Sequence, residues 1–409
     1  MTVVELREGD RPVELALPAE VGQLLAASGV VTATPTVRAG RWLVAPTTKV
    51  GVVRVNDVEV WIRPKIDIRR LVFLLGYAQS PRGWRDSDVP LAPAADLVTA
   101  VAYAFVRQAE RATAGGLLQG YRTVEDTLTV VRGRIREADQ LRQRFGLPLP
   151  LDVTYDEFTV DIAENQLLRT ATERLLQLPR LSPAVRQSLR RLLFVAFADV
   201  SPLPGPRPTV AWQPTRLNTH YQVAVRLAEM LLAAQSFEHQ RGSVRSSGFL
   251  FDMAIVFEDF VCVALREALA DTAGRVHLQY RTHLDEAAVV DIRPDLVITS
   301  GLRPVAVLDA KYKAAKDRAA KDRAEKPAGF PQADLYQMLA YCTVLGLRTG
   351  HLVYARGGES PARHRVTNAD VTLVCHALDL DQDPAELLGD VARLAAVLVA
   401  DPQGSLRQS

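Results

Sequence analysis

The chain has 409 residues, 48% of them hydrophobic, with 49 basic against 47 acidic side chains. That length predicts two domains or three, and the near-balanced charge excludes a global basic field, so any nucleic-acid contact has to come from local patches. The three cysteines, Cys262, Cys342 and Cys375, lie far apart without C-x-x-C spacing, which argues against a disulfide framework or a zinc site and fits a reducing cytoplasm. At the N-terminus, "MTVVELREGD" is acidic and lacks an apolar signal core. No run reaches the ~20 apolar residues of a membrane span, and no G-x-x-x-x-G-K-[ST] loop occurs, so no nucleotide is expected on a P-loop.

The first part reads as β. In "GVVRVNDVEVWIRP", Val53 and Val55 alternate on one arm and Val58, Val60 and Ile62 on the other, with Asn56-Asp57 suited to the tight turn. Pro64 should end the ladder, and "LVFLLGYA" follows as a helix. Helices then dominate. One opens near Pro93 and closes at Gly115-Gly116. Residues 121–146 read as strand, turn, then strand or helix, and carry five arginines between Arg132 and Arg144. "DIAENQLLRTATERLLQL" is amphipathic, and Ser182 can cap the helix after it. "VSPLPGPRPTVAWQP" cannot hold a regular element and reads as a linker or long connection. The helix "THYQVAVRLAEMLLAAQ" follows, and a boundary is placed near residue 240, by Gly242. The second part opens with the helix "FDMAIVFEDFVCVALREALAD" and two strands in residues 289–313. The twice-repeated AKDRA unit follows as a solvated helix or mobile loop. The chain closes with the helix "QADLYQMLAYCTVLG", the strand "GHLVYAR", a polar loop, the strand "ADVTLVCHAL" and a last helix.

The chemistry gathers on those two strands. Side chains alternate faces along a strand, so Val305, Val307, Asp309 and Lys311 of "PVAVLDAKYK" share one face. If Gly301-Leu302-Arg303 is a three-residue turn, Ser300 pairs with Pro304 and Asp295 lies opposite Asp309. Carboxylates ~5 Å apart repel unless a cation lies between them, and a hard divalent ion with oxygen ligands satisfies both. A two-residue turn would shift the pairing by one and make the contact diagonal. Upstream, Glu258 and Asp259 both sit on a largely apolar helix face, and spacing does not choose between them. Downstream, Asp334, Gln337 and Tyr341 share one face of a helix.

The order helix carboxylate, Pro-Asp, D-x-K, Q-x-x-x-Y resembles the PD-(D/E)xK nuclease core of the RecB-like branch. More specifically, "VGVVRVNDVEVWIRPKI", "VEDTLTVVRGRI", "YDEFTVDIAENQLLR", "FEDFV", "RPDLVI", "LDAKYK" and "DLYQMLAY" resemble blocks of the McrC family, the nuclease subunit of McrBC modified-DNA restriction systems. The resemblance implies an α+β N-terminal domain, residues 1–240, that docks on a partner. It implies an α/β restriction-endonuclease-like domain, residues 241–409, with a mixed central sheet flanked by helices. It further implies Mg²⁺, replaceable by Mn²⁺, on Asp295, Asp309 and the Ala310 carbonyl. Lys311 is then the motif lysine, as base or charge stabiliser, Glu258 the helix acid in preference to Asp259, and Gln337 and Tyr341 the residues that orient the site or touch phosphate. The implied activity is endonucleolytic hydrolysis of DNA containing modified cytosine of the 5-methylcytosine type, in the cytoplasm, with an McrB-like GTP-hydrolysing AAA+ hexamer as partner. Arg132, Arg134 and Arg136 are candidates for acidic or phosphate contacts. Two other readings compete: a RecB-like nuclease of another defence or repair system, and a non-catalytic subunit that activates the partner. An iron–sulfur version of the first needs four cysteines, and this chain has three.

Overall fold

The structure is a computed structural model that describes residues 2–81, 96–145, 149–205, 210–234, 239–241, 244–272, 274–312, 331–355 and 361–400. The AKDRA repeat at 315–324, Gly242 and Pro93 lie outside these. In chain order the N-terminal elements are β1 (Thr2–Arg7), β2 (Val13–Ala16), α1 (Ala19–Ser28), β3 (Val31–Pro35), β4 (Arg41–Pro46), β5 (Lys49–Val55), β6 (Val58–Arg63), α2 (Ile68–Gln79) and α3 (Leu97–Thr113). Then come β7 (Gly120–Leu128), β8 (Arg134–Ile135), α4 (Glu137–Arg144), β9 (Leu151–Thr159), α5 (Ala163–Leu176), α6 (Pro183–Arg191), a π-helical turn (Leu192–Ala196) and α7 (Thr219–Ala234). The remainder is β10 (His239–Arg241), β11 (Val244–Asp252), α8 (Met253–Ala268), β12 (Arg275–Leu278), β13 (Thr282–His283), β14 (Asp291–Ile292), β15 (Leu296–Ser300), β16 (Arg303–Lys311), α9 (Gln332–Leu345), β17 (Thr349–Ala355), β18 (Ala362–Arg365), β19 (Thr372–Leu378) and α10 (Pro384–Ala400).

The chain forms two compact units, residues 1–100 with 237–409, and residues 101–236. This differs from a division into 1–240 and 241–409, and the reason is a strand that has no sequence signal of its own. β11 pairs antiparallel with β5, Phe249 opposite Val52 and Asp252 opposite Lys49. The resulting sheet runs β1-β6-β5-β11-β10. Its β5–β6 hairpin has the expected register, Val53 opposite Val60 and Val55 opposite Val58, and Asn56 takes the positive φ of 51° that the two-residue turn demands. Gly51 sits where β11 crosses: its φ is 131°, and a Cβ there would collide with the Phe249 carbonyl oxygen. The helix expected from Phe251 starts instead at Met253, because Phe251 and Asp252 belong to β11. Asp252 caps it, accepting from the Ala254 N–H at 3.0 Å.

The second sheet of this unit has the order β12-β15-β16-β17-β19-β18. β12, β15 and β16 are antiparallel, β16, β17 and β19 parallel, and β18 antiparallel again. β18 falls in what the sequence presents as a polar loop. Val297, Val307, Leu352, Tyr354, Leu373 and Cys375 form one face and pack on Met338, Tyr341 and Cys342 of α9. The alternate residues of β16 face α8, where Tyr312 lies 6.0 Å ring to ring from Phe257. α8 in turn packs its Phe260 against Phe73 and Tyr77 of α2, at 6.1 and 5.6 Å. Each fully buried side chain of this size contributes about 1.5–3 kcal/mol. The three cysteines are buried without disulfides, and among the described residues no helix is long and apolar enough to cross a membrane.

The other unit joins the β7-β9-β8 sheet to α5, α6 and α7. Ser182 caps α6 by accepting from the Val185 N–H. Of the arginines singled out by sequence, Arg136 is paired with Asp139 and with Glu125 at 2.7 Å, Arg132 lies over the Tyr155 ring at 3.9 Å, and Arg134 is exposed.

Candidate active site

β15 and β16 bring the two aspartates together by a different route from the expected one. The turn between them has two residues, so Ser300 pairs with Arg303 and Thr299 with Pro304. That would move every later pair by one. A register shift between Ile298 and Thr299 leaves Val305 as the extra residue, and from Ile298–Ala306 onward the pairing matches the expected count. Leu296 therefore faces Leu308, and the next residue on each strand is Asp295 and Asp309. The Ala310 N–H donates to Asp295 Oδ2 at 2.8 Å, fixing that carboxylate against the neighbouring strand.

Both aspartates are buried, with 7% and 2% of their surface exposed. Burial pushes the Asp295 carboxyl up to about 6; the Ala310 N–H and Lys311 oppose this and Glu258 adds to it. Burial likewise pushes Asp309 up to about 6, with repulsion from Asp295 adding and Lys311 opposing. The Lys311 ammonium forms an ion pair with Asp309 Oδ2. Burial lowers the lysine, but Asp309, Asp295 and Asp334 outweigh it and hold the amine above its ordinary value.

Glu258 of α8 joins the pair. The Gln279 side-chain amide donates to Glu258 Oε1 and, at 3.3 Å, to Asp295 Oδ1. Burial and then the neighbouring Asp259 raise the Glu258 carboxyl, with Asp309 adding. Asp259 is itself raised by burial. The Cys262 thiol, one turn along α8, reaches the Asp295 carbonyl at 3.6 Å. From the other face, Gln337 donates to the Tyr341 hydroxyl at 2.7 Å. Tyr341 is buried and its phenol is pushed up to about 12 by burial, Asp309 and Asp295, while Gln337 is exposed. Asp334 is buried and accepts from the Tyr354 hydroxyl at 3.1 Å.

Asp295, Asp309, Lys311 and Glu258 therefore lie together, Tyr341 is close enough to feel both aspartates, and exposed Gln337 is bonded to Tyr341. Gln279 and Tyr354 had no sequence signal. Gln279 follows a short strand with no motif around it. Tyr354 becomes visible only in the parallel register that sets it beside Lys311.

A divalent cation can be tested against these groups. Asp309 Oδ2 is buried, and its charge faces the Lys311 ammonium. Among the described residues no three Asp, Glu, His or Cys side chains converge as a ready-made cluster. The two carboxylates are hard oxygen donors, which suit Mg²⁺ rather than zinc.

A mixed sheet with acids and an amine at adjoining strand ends defines a class of α/β chains. The family model described as McrBC 5-methylcytosine restriction system component matches residues 44–355, and the chain belongs to that family. It is similar in fold to a chain of a Thermococcus gammatolerans assembly, a half-complex of McrB AAA+ hexamers with bound McrC. The TM-score is 0.56 at 18% identity, covering 97% of this chain and 100% of that one. A cryo-EM structure of the Thermococcus gammatolerans McrBC complex aligns at TM-score 0.39 and 20% identity, over 66% of this chain and 89% of that one. No curated protein matches the sequence.

Proposed function

We propose that the chain is the nuclease subunit of a modification-dependent restriction system, with a PD-(D/E)xK domain that hydrolyses phosphodiester bonds in DNA carrying 5-methylcytosine-type bases. The observation that carries this reading is the juxtaposition of buried Asp295 and Asp309, with the Lys311 ammonium paired to Asp309 Oδ2. Two carboxylates kept this close and this dry cost stability at neutral pH, a cost that a structural role does not explain.

Asp295, Asp309 and the Ala310 carbonyl would hold Mg²⁺, or Mn²⁺ in its place. The bound ion supplies Lewis acidity at the phosphate and a water of lowered pKa. The carboxylates around Lys311 favour its charged form, which suits stabilising charge on the phosphate better than taking a proton. Tyr341 and Gln337 form a hydrogen-bonded pair that can orient a phosphate oxygen. Glu258, raised by burial, supplies a further acid beside Asp295.

The partner follows from the fold relative, whose assembly contains McrB AAA+ hexamers: this chain docks on a GTP-hydrolysing ring through its part N-terminal to the site and stimulates it. The test is plasmid cleavage. With the ring protein, GTP and Mg²⁺, the chain cuts methylated supercoiled plasmid, and Asp309→Ala and Lys311→Ala do not. Nicking by Asp309→Ala, or no cleavage by the unaltered chain under these conditions, refutes the nuclease reading. Intact stimulation of GTP hydrolysis without cleavage marks a non-catalytic activator.

A further inference from the structure

Gln279 follows β12 with φ 52°, the left-handed region that a residue other than glycine seldom takes. Two backbone bonds hold it there: its own N–H donates to the Asp295 carbonyl at 2.8 Å and the Tyr280 N–H to the Pro294 carbonyl at 3.0 Å. The residue is therefore fastened to the segment that carries Asp295. Its side-chain amide turns inward and donates to Glu258 Oε1 and to Asp295 Oδ1. One NH₂ group has two hydrogens, so it can serve both carboxylates at once. The other oxygen of Asp295 is taken by the Ala310 N–H. Asp295 is thus fixed at both oxygens, one by strand backbone and one by Gln279, and Glu258 is tied to it through the same nitrogen.

The chemistry of the amide matters here. A lysine or arginine in this position would neutralise the two acids and compete with a metal for them. A neutral donor orders the carboxylates and leaves their charge in place. We infer that Gln279 is a positioning residue that fixes Asp295 for a divalent cation and ties Glu258 beside it. The inference rests on the proposed cation site. Groups that orient metal ligands from behind alter metal affinity by about 10–100-fold when removed.

The experiment measures Mn²⁺ binding to the full chain by calorimetry and by the loss of the free-ion EPR signal. Gln279→Met keeps the length and removes the donor, and weakens Mn²⁺ binding about 10–100-fold. Gln279→Asn suits the left-handed backbone better but shortens the reach by a methylene; it also binds weakly if the amide contact is what counts. If Gln279→Asn binds like the unaltered chain, the residue serves the backbone and the inference is overturned. It is overturned too if Gln279→Met binds normally while Asp309→Asn does not. If the unaltered chain binds no Mn²⁺, or Asp309→Asn binds as well as it does, the cation site itself fails and the inference with it. Circular dichroism and melting in EDTA accompany each variant, and Gln279→Asn decides if Gln279→Met does not fold.

Discussion

Asp309→Asn makes the most informative variant, because it should stabilise the metal-free protein while abolishing the proposed cleavage. The Asp309 carboxyl is raised from 3.8 to about 6 by burial first and Asp295 second. A raised carboxyl favours the folded state below its unfolded pKa, and that contribution is lost as pH climbs through the folded value near 6. At neutral pH the ionised folded form therefore carries a penalty. The displacement of about two units corresponds to ~3 kcal/mol at ~1.4 kcal/mol per unit. The value near 6 already contains the attraction of Lys311, so a neutral amide in place of the carboxylate should recover about 3 kcal/mol. For a cooperative unit of this size that is an increase in melting temperature of about 5 °C.

The assay is thermal unfolding in EDTA at about pH 7.5 and again at about pH 5. At the lower pH the unaltered protein has already taken up most of the proton, and roughly half of the difference should remain. Adding Mg²⁺ should raise the melting temperature of the unaltered chain by mass action and leave Asp309→Asn where it was. The reasoning is refuted if Asp309→Asn melts at or below the unaltered chain in EDTA, or if the gap is the same at both pH values.

Two further outcomes follow from packing. Gly51→Ala places a Cβ against the Phe249 carbonyl at φ 131° and should cost roughly 3 kcal/mol or more, read as a fall in urea midpoint; an unchanged midpoint would show that β5 and β11 separate easily. Tyr312→Phe removes the 2.8 Å hydrogen bond from Tyr312 to buried Glu8, whose other oxygen accepts none, and should cost about 1.5–3 kcal/mol. A loss below ~0.5 kcal/mol would mean that Lys65, at 3.7 Å, satisfies Glu8 without the tyrosine.

The site was legible where chemistry and local periodicity coincide. Asp309 and Lys311 share a face by strand alternation, and Asp334 and Tyr341 by helical spacing. The facing of Asp295 and Asp309 was reached through a turn that does not exist: the hairpin is one residue tighter, and the irregularity at Val305 returns that residue to the register. A bulge leaves no compositional mark when, as here, a valine supplies it in the apolar run Val305–Leu308. Gln279 was invisible for a related reason. Its role comes from two backbone bonds to residues Pro294 and Asp295, a long-range pairing that no window around Gln279 encodes.

The division of the chain shows where such windows stop. A linker rich in proline ends near residue 214, and a composition break near 240 invites a domain boundary, yet the strand immediately after it pairs with residues 49–55. β11 has Gly248 at its middle and carries serines and arginine near its start, so it lacks the β-branched alternation that announces a strand. What makes it one is the open edge of β5, which would otherwise present unpaired backbone groups. The same unit is fastened a second time where Tyr312, the residue after Lys311, reaches Glu8, and a third time where Phe260 of α8 meets Phe73 and Tyr77. The helix that carries Glu258 and the strand that carries Asp309 are therefore both packed on residues from the first hundred. A fragment beginning at residue 241 would keep the acids and the lysine in its sequence but lose β5, Glu8 and α2, the groups against which those elements are set.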